Sequence, residues 1–128
     1  MLIRDVQKLR QFIAGDKTHL REVLNGPQEG LDLRYSLAHA VVQPGQASLP
    51  HFLLGSEVYI VLQGEGIMYI DEERAPVHKG QVIYIPPKAK QWIENTGSED
   101  LVFYCIVDPA WQSEDEFVLE GTAENPAL

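Results

Sequence analysis

From Leu31 onward the chain is cut into short apolar runs by turn-forming residues, and this rhythm restricts it to an all-β fold. The runs are Asp32–Gln43, Glu57–Gln63, Gly66–Ile70, Gln81–Ile85, Lys90–Asn95 and Leu101–Val107. Between them stand Pro44-Gly45, Gly64-Glu65-Gly66, Asp71-Glu72-Glu73, Lys79-Gly80, Pro86-Pro87 and Asn95-Thr96-Gly97. β-Branched and aromatic side chains suit a pleated, half-buried surface, whereas Gly, Pro, Asn and Asp set turns or end pairing. Strands this short and this evenly spaced predict a sandwich or a barrel.

The flanking segments are less regular. Ile3, Val6, Leu9, Phe12 and Ile13 give only a weak helical spacing, while Thr18–Leu24 alternates enough to form a strand. A chain of 128 residues suits one domain. We expect an irregular or partly helical N-terminal extension over residues 1–30, packed on the barrel or on a partner subunit. The barrel should span 31–112, and an acidic tail 113–128. In that tail a single helical turn is expected at Glu114–Val118, and Gly121–Leu128 should be loosely held.

Charge and composition narrow the function classes. The net charge of −9 repels polyanions, so a nucleic-acid partner is not expected. No apolar run reaches the roughly 18 residues that a membrane helix needs. The N-terminus shows no basic-then-apolar leader, so a cytoplasmic protein is expected. The lone cysteine, Cys105, lies in an apolar run and reads as a small buried hydrophobe. The acidic clusters Asp71-Glu72-Glu73 and Glu114-Asp115-Glu116 read as solvated turns.

Two spaced patterns carry chemistry. Residues 45–64 read G-x5-H-x-L-x3-E-x6-G, through Gly45, His51, Leu53, Glu57 and Gly64. Residues 80–95 read G-x5-P-x-K-x2-Q-x3-N, through Gly80, Pro86, Lys88, Gln91 and Asn95. By the period of two, Glu57, Tyr59 and Val61 share one strand face, as do His51 with Leu53 and Gln91 with Ile93. These patterns resemble the two motifs of the cupins, G-x5-H-x-H-x3,4-E-x6-G and G-x5-P-x-G-x2-H-x3-N. Ala14 to Thr18, Leu20-Arg21-Glu22, Ser36–Ala40, Ser56–Gly64 and Cys105–Trp111 also resemble a group of small single-domain cupins.

The resemblance implies a cupin-type double-stranded β-helix, or jelly-roll barrel, with a site inside it. It also implies homodimers, often formed by exchanging N-terminal strands, a role that Leu2, Ile3 and Val6 suit. The family's metal site uses three histidines and a glutamate. Here His51 and Glu57 keep their positions, Leu53 and Gln91 replace histidines, and Lys88 replaces a glycine. The implied metal set is His51, Glu57 and Gln91, holding Fe, Mn, Zn or Ni. The ligand pocket is expected to comprise His39, His51, Leu53, Tyr59 and Gln91, with His39 compensating for a missing imidazole if its face points inward. Lys88 is either a solvated loop lysine or a contact for an acidic ligand. A metal-dependent oxygenase, isomerase or decarboxylase, a metal-free module for a sugar or organic acid, and metal-free acid–base chemistry on His51 and Glu57 all remain open.

Overall fold

Leu101, Phe103, Cys105 and Val107 alternate with half-buried neighbours along one strand, and that strand organises the molecule. The computed structural model describes residues 1–119, so the expectation for Gly121–Leu128 lies outside the described residues. In chain order the strands are β1 (Phe12–Ile13), β2 (His19–Asn25), β3 (Ser36–Val42), β4 (His51–Leu53), β5 (Ser56–Gln63) and β6 (Glu65–Ile70). They continue as β7 (Glu73–His78), β8 (Val82–Ile85), β9 (Gln91–Asn95), β10 (Leu101–Asp108) and β11 (Glu116–Val118).

The strands form two antiparallel sheets. A six-stranded sheet runs β1-β2-β3-β10-β5-β8, and a five-stranded sheet runs β11-β4-β9-β6-β7. Their facing surfaces enclose the core, with Phe103, Leu101, Ile93 and Ile85 almost fully buried. This is the jelly-roll barrel that the strand rhythm and the motif resemblance predict.

The motif glycines sit where the chain turns sharply. At Gly64 φ is +88°, and a β-carbon would meet the Asp100 carbonyl oxygen at 2.7 Å. No L side chain fits there without a backbone shift. Lys88 occupies the position of the second motif's missing glycine and adopts a left-handed backbone, with φ +67°. Its N–H donates to the Leu53 carbonyl at 2.7 Å, and its side chain lies in solvent.

The N-terminal segment is woven into the larger sheet. A short 3-10 turn at Val6–Lys8 leads to β1, and β2 pairs with β3 from His19↔Val41 to Asn25↔Ser36. Arg4 pairs with Glu29 and donates to the Val23 carbonyl, while Arg21 donates to the Leu9 carbonyl at 3.1 Å. Met1, Leu2 and Ile3 are exposed.

Two elements differ from the reading of the sequence. β7 is a strand although Pro76 and its charged neighbours mask the pattern. It lies at a sheet edge, where a missing N–H is tolerated. The helical turn expected at Glu114–Val118 is instead a 3-10 turn at Ser113–Asp115 followed by β11. β11 pairs with β4, and Phe117 stacks on Phe52 with ring centroids 4.8 Å apart. That apolar contact and the ladder hold the acidic segment in the sheet.

Candidate functional site: a carboxylate-rich cavity

The cavity opens where inward-facing residues become small. Ala38 and Ala40 on β3 and Cys105 on β10 leave room that Phe12, Leu20, Leu37, Leu53 and Phe103 enclose. Its volume is about 120 Å³. His51, Glu57 and Asp16 reach it from three different segments, and each is more than nine-tenths buried.

His51 stands on β4 between Gln91 of β9 and Val118 of β11. Its Nδ1 lies 2.8 Å from the Leu49 carbonyl oxygen. That oxygen only accepts, so Nδ1 donates to it and Nε2 is left facing the cavity. Nε2 is 3.6 Å from an oxygen of Asp16.

Asp16 comes from the turn between β1 and β2. Its Oδ1 accepts from the Thr18 N–H at 3.1 Å and from the Thr18 hydroxyl at 2.8 Å, which leaves Oδ2 facing His51. The Leu49 N–H donates to the Asp16 carbonyl at 2.7 Å, so the turn is tied directly to the segment that carries His51.

Glu116 is the third member. It pairs with Leu53 across the β4–β11 ladder, and Leu53 occupies the position of the second motif histidine. The neighbouring strand thus supplies a carboxylate beside the lost imidazole. The Trp111 indole N–H donates to Glu116 Oε1 at 3.1 Å. Burial raises the Glu116 carboxyl above its ordinary range, and the Asp16 charge adds to the effect. Ligand atoms of Asp16, His51 and Glu116 lie within 4.8 Å of one another.

Glu57 and Gln91 behave differently from the implied metal set. Gln91 bridges the two sheets. Its Nε2 donates to Glu57 Oε1 at 2.6 Å, and its Oε1 accepts from the Tyr59 hydroxyl at 2.9 Å. The amide oxygen is engaged with Tyr59, and Gln91 stands behind the cavity wall. Burial pushes the Glu57 carboxyl up to about 7, against the Gln91 hydrogen bond and the His51 charge. Burial likewise raises the Tyr59 hydroxyl and the Cys105 thiol.

Of the sequence-predicted pocket residues, His51, Leu53 and Tyr59 line the cavity. His39 does not. It pairs with Arg21 and Tyr104 on the outer face of the six-stranded sheet, edge-on to the Tyr104 ring at 5.8 Å. Ala38 and Ala40 take the inward positions beside it, so the parity of β3 turns His39 away. Burial, and then the Arg21 charge, lower its pKa. Asp16 and Glu116 are the residues that sequence reasoning missed. The Asp16-Lys17-Thr18 turn signature and the alternation of Glu116-Phe117-Val118 were the available signals.

A two-sheet barrel with a histidine and carboxylates converging inside it defines the cupin class. The cupin-domain family model matches residues 38–107, and the chain belongs to that family. It is 37% identical over 117 residues to an uncharacterised protein of Methanocaldococcus jannaschii, covering 91% of this chain and 93% of that one. A solved protein from Photorhabdus luminescens aligns with a TM-score of 0.73 at 32% identity, over 89% of this chain and 90% of that chain. The polyketide cyclase RemF from Streptomyces resistomycificus aligns with a TM-score of 0.81 at 17% identity, over 100% and 94% of the two chains, and shares the fold. Among the described residues no helix is long and apolar enough to cross a membrane.

Proposed function

We propose that the cavity holds a divalent cation on Asp16, His51 and Glu116 and binds a small molecule next to it. One observation carries this reading. Each of the three side chains is tied down by its far atom, to Thr18, Leu49 and Trp111, and leaves another ligand atom for the common cluster. Metal ligands are oriented in this way by outer partners. Three protein ligands leave positions open for a bound molecule. One imidazole with two carboxylates favours Mn(II) or Fe(II) over softer, nitrogen-rich or thiolate chemistry. A cation held there would act as a Lewis acid on an oxygen of the bound molecule.

The test is elemental analysis of purified protein followed by Mn²⁺ titration. We expect near-stoichiometric metal, with affinity falling at least about tenfold in His51→Ala and in Glu116→Gln. Equal uptake by the wild type and both variants would refute the assignment. The exposure of Leu2 and Ile3 supports a homodimer that covers them. A monomer mass in light scattering at micromolar concentration would rule that out.

A further inference from the structure

The charges around the cavity restrict what it can take in. Among the described residues that line it, Asp16, Glu22, Glu57 and Glu116 carry carboxyl groups, and none is a lysine or an arginine. Three of its side-chain hydrogen-bond donors are already committed. The Thr18 hydroxyl donates to Asp16, the Tyr59 hydroxyl to Gln91 and the Trp111 indole to Glu116. An incoming carboxylate or phosphate would meet like charge and find these donors engaged. A divalent cation on Asp16 and Glu116 cancels only their two charges and leaves no positive surplus for an anion.

The remaining wall is apolar, formed by side chains such as Phe12, Leu20, Leu53 and Phe103. A cavity of about 120 Å³ is close to the roughly 150 Å³ apolar space that accommodates benzene. From the lining we infer that the natural ligand is not an anion but a largely apolar molecule of about one ring in size. Organic acids and phosphate esters are excluded. This rests on the reading above only in that the ligand occupies this cavity.

Benzyl alcohol, benzoate and benzylamine share one body and differ in charge, so they are the probes. Each is titrated by calorimetry into the full chain, once chelator-treated and once loaded with Mn²⁺. Benzyl alcohol should bind at least about tenfold more tightly than benzoate in both forms, since each uncompensated carboxylate a few ångström away costs an anion about that much. Glu22→Lys, which reverses the charge of the half-buried Glu22 in the lining, should improve benzoate severalfold relative to benzyl alcohol. Benzylamine should bind at least as tightly as the alcohol to the chelator-treated form. Benzoate binding as tightly as the alcohol, benzylamine binding more weakly than benzoate, no saturable alcohol binding, or no benzoate response to Glu22→Lys would each overturn the inference. Mn²⁺ uptake is read in the same titrations. A protein that prefers the alcohol but takes no Mn²⁺ removes the cation assignment and leaves the ligand class standing. One that takes Mn²⁺ and prefers benzoate does the reverse.

Discussion

The two halves of the barrel interior are built from the same strands and differ in what the inward positions carry. Toward one end β3 contributes Val42, β5 Val61, β9 Ile93 and β10 Leu101, all of them buried in a continuous apolar cluster. Toward the other end the same strands contribute Ala38 and Ala40, Glu57, Gln91 and Cys105. The rings of Tyr59 and Phe103, 4.5 Å apart, stand between the halves. The closed half supplies stability through burial. The open half gives up packing and buries carboxylates, which destabilises the fold locally and makes room for chemistry.

The comparison can be broken most forcefully at its boundary. Phe103→Ala should cost about 3–5 kcal/mol in urea unfolding, because it opens the packed half into the cavity. A loss below about 1 kcal/mol would mean that the two halves are not separated by that ring.

Glu57 sharpens the contrast through pH. Its carboxyl stands at about 7 in the folded protein against 4.5 ordinarily, so the folded state holds the extra proton between these values. Stability of the metal-free protein from this group is greatest at or below about pH 4.5 and falls as pH rises toward 7. The change is on the order of 3 kcal/mol, at about 1.4 kcal/mol per unit. Glu57→Gln should remove that slope from the difference between the two unfolding profiles. An unchanged slope would place the titration elsewhere.

Trp111→Phe is a smaller perturbation confined to the open half. It keeps a smaller aromatic ring and deletes the N–H that holds Glu116. Mn²⁺ affinity should fall about tenfold while the melting temperature moves little. A large loss of stability with unchanged affinity would make Trp111 a packing residue. Lys88→Gly touches neither half and relieves a left-handed backbone, so its effect on stability should stay within about 1 kcal/mol. Altered Mn²⁺ or benzyl alcohol binding in that variant would tie Lys88 to the cavity.

The barrel was legible because its strands are local patterns. Turn residues mark their ends, and the motif glycines and prolines fix where they stop. The same spacing brought His51, Leu53 and Tyr59 to one cavity. Asp16 and Glu116 were not legible, because spacing describes neighbours along the chain and these residues arrive by docking of distant segments. Glu116 was also disguised by its acidic neighbours Glu114, which faces solvent, and Asp115. His39 is a different case. A strand has two faces, and spacing alone leaves open which face of β3 points inward, so the parity that turns His39 away was not legible.

Asp16 lies near the start of the chain and Glu116 near its end, yet both abut His51. Any cation they share acts as a clasp between the two ends. A nascent chain possesses Asp16 and His51 long before Glu116 is synthesised, so the clasp closes only after β11 has been added to the edge of its sheet. Closure of such a clasp waits on β11, and a loaded molecule should resist proteolysis at the Asp16 turn and at β11 together.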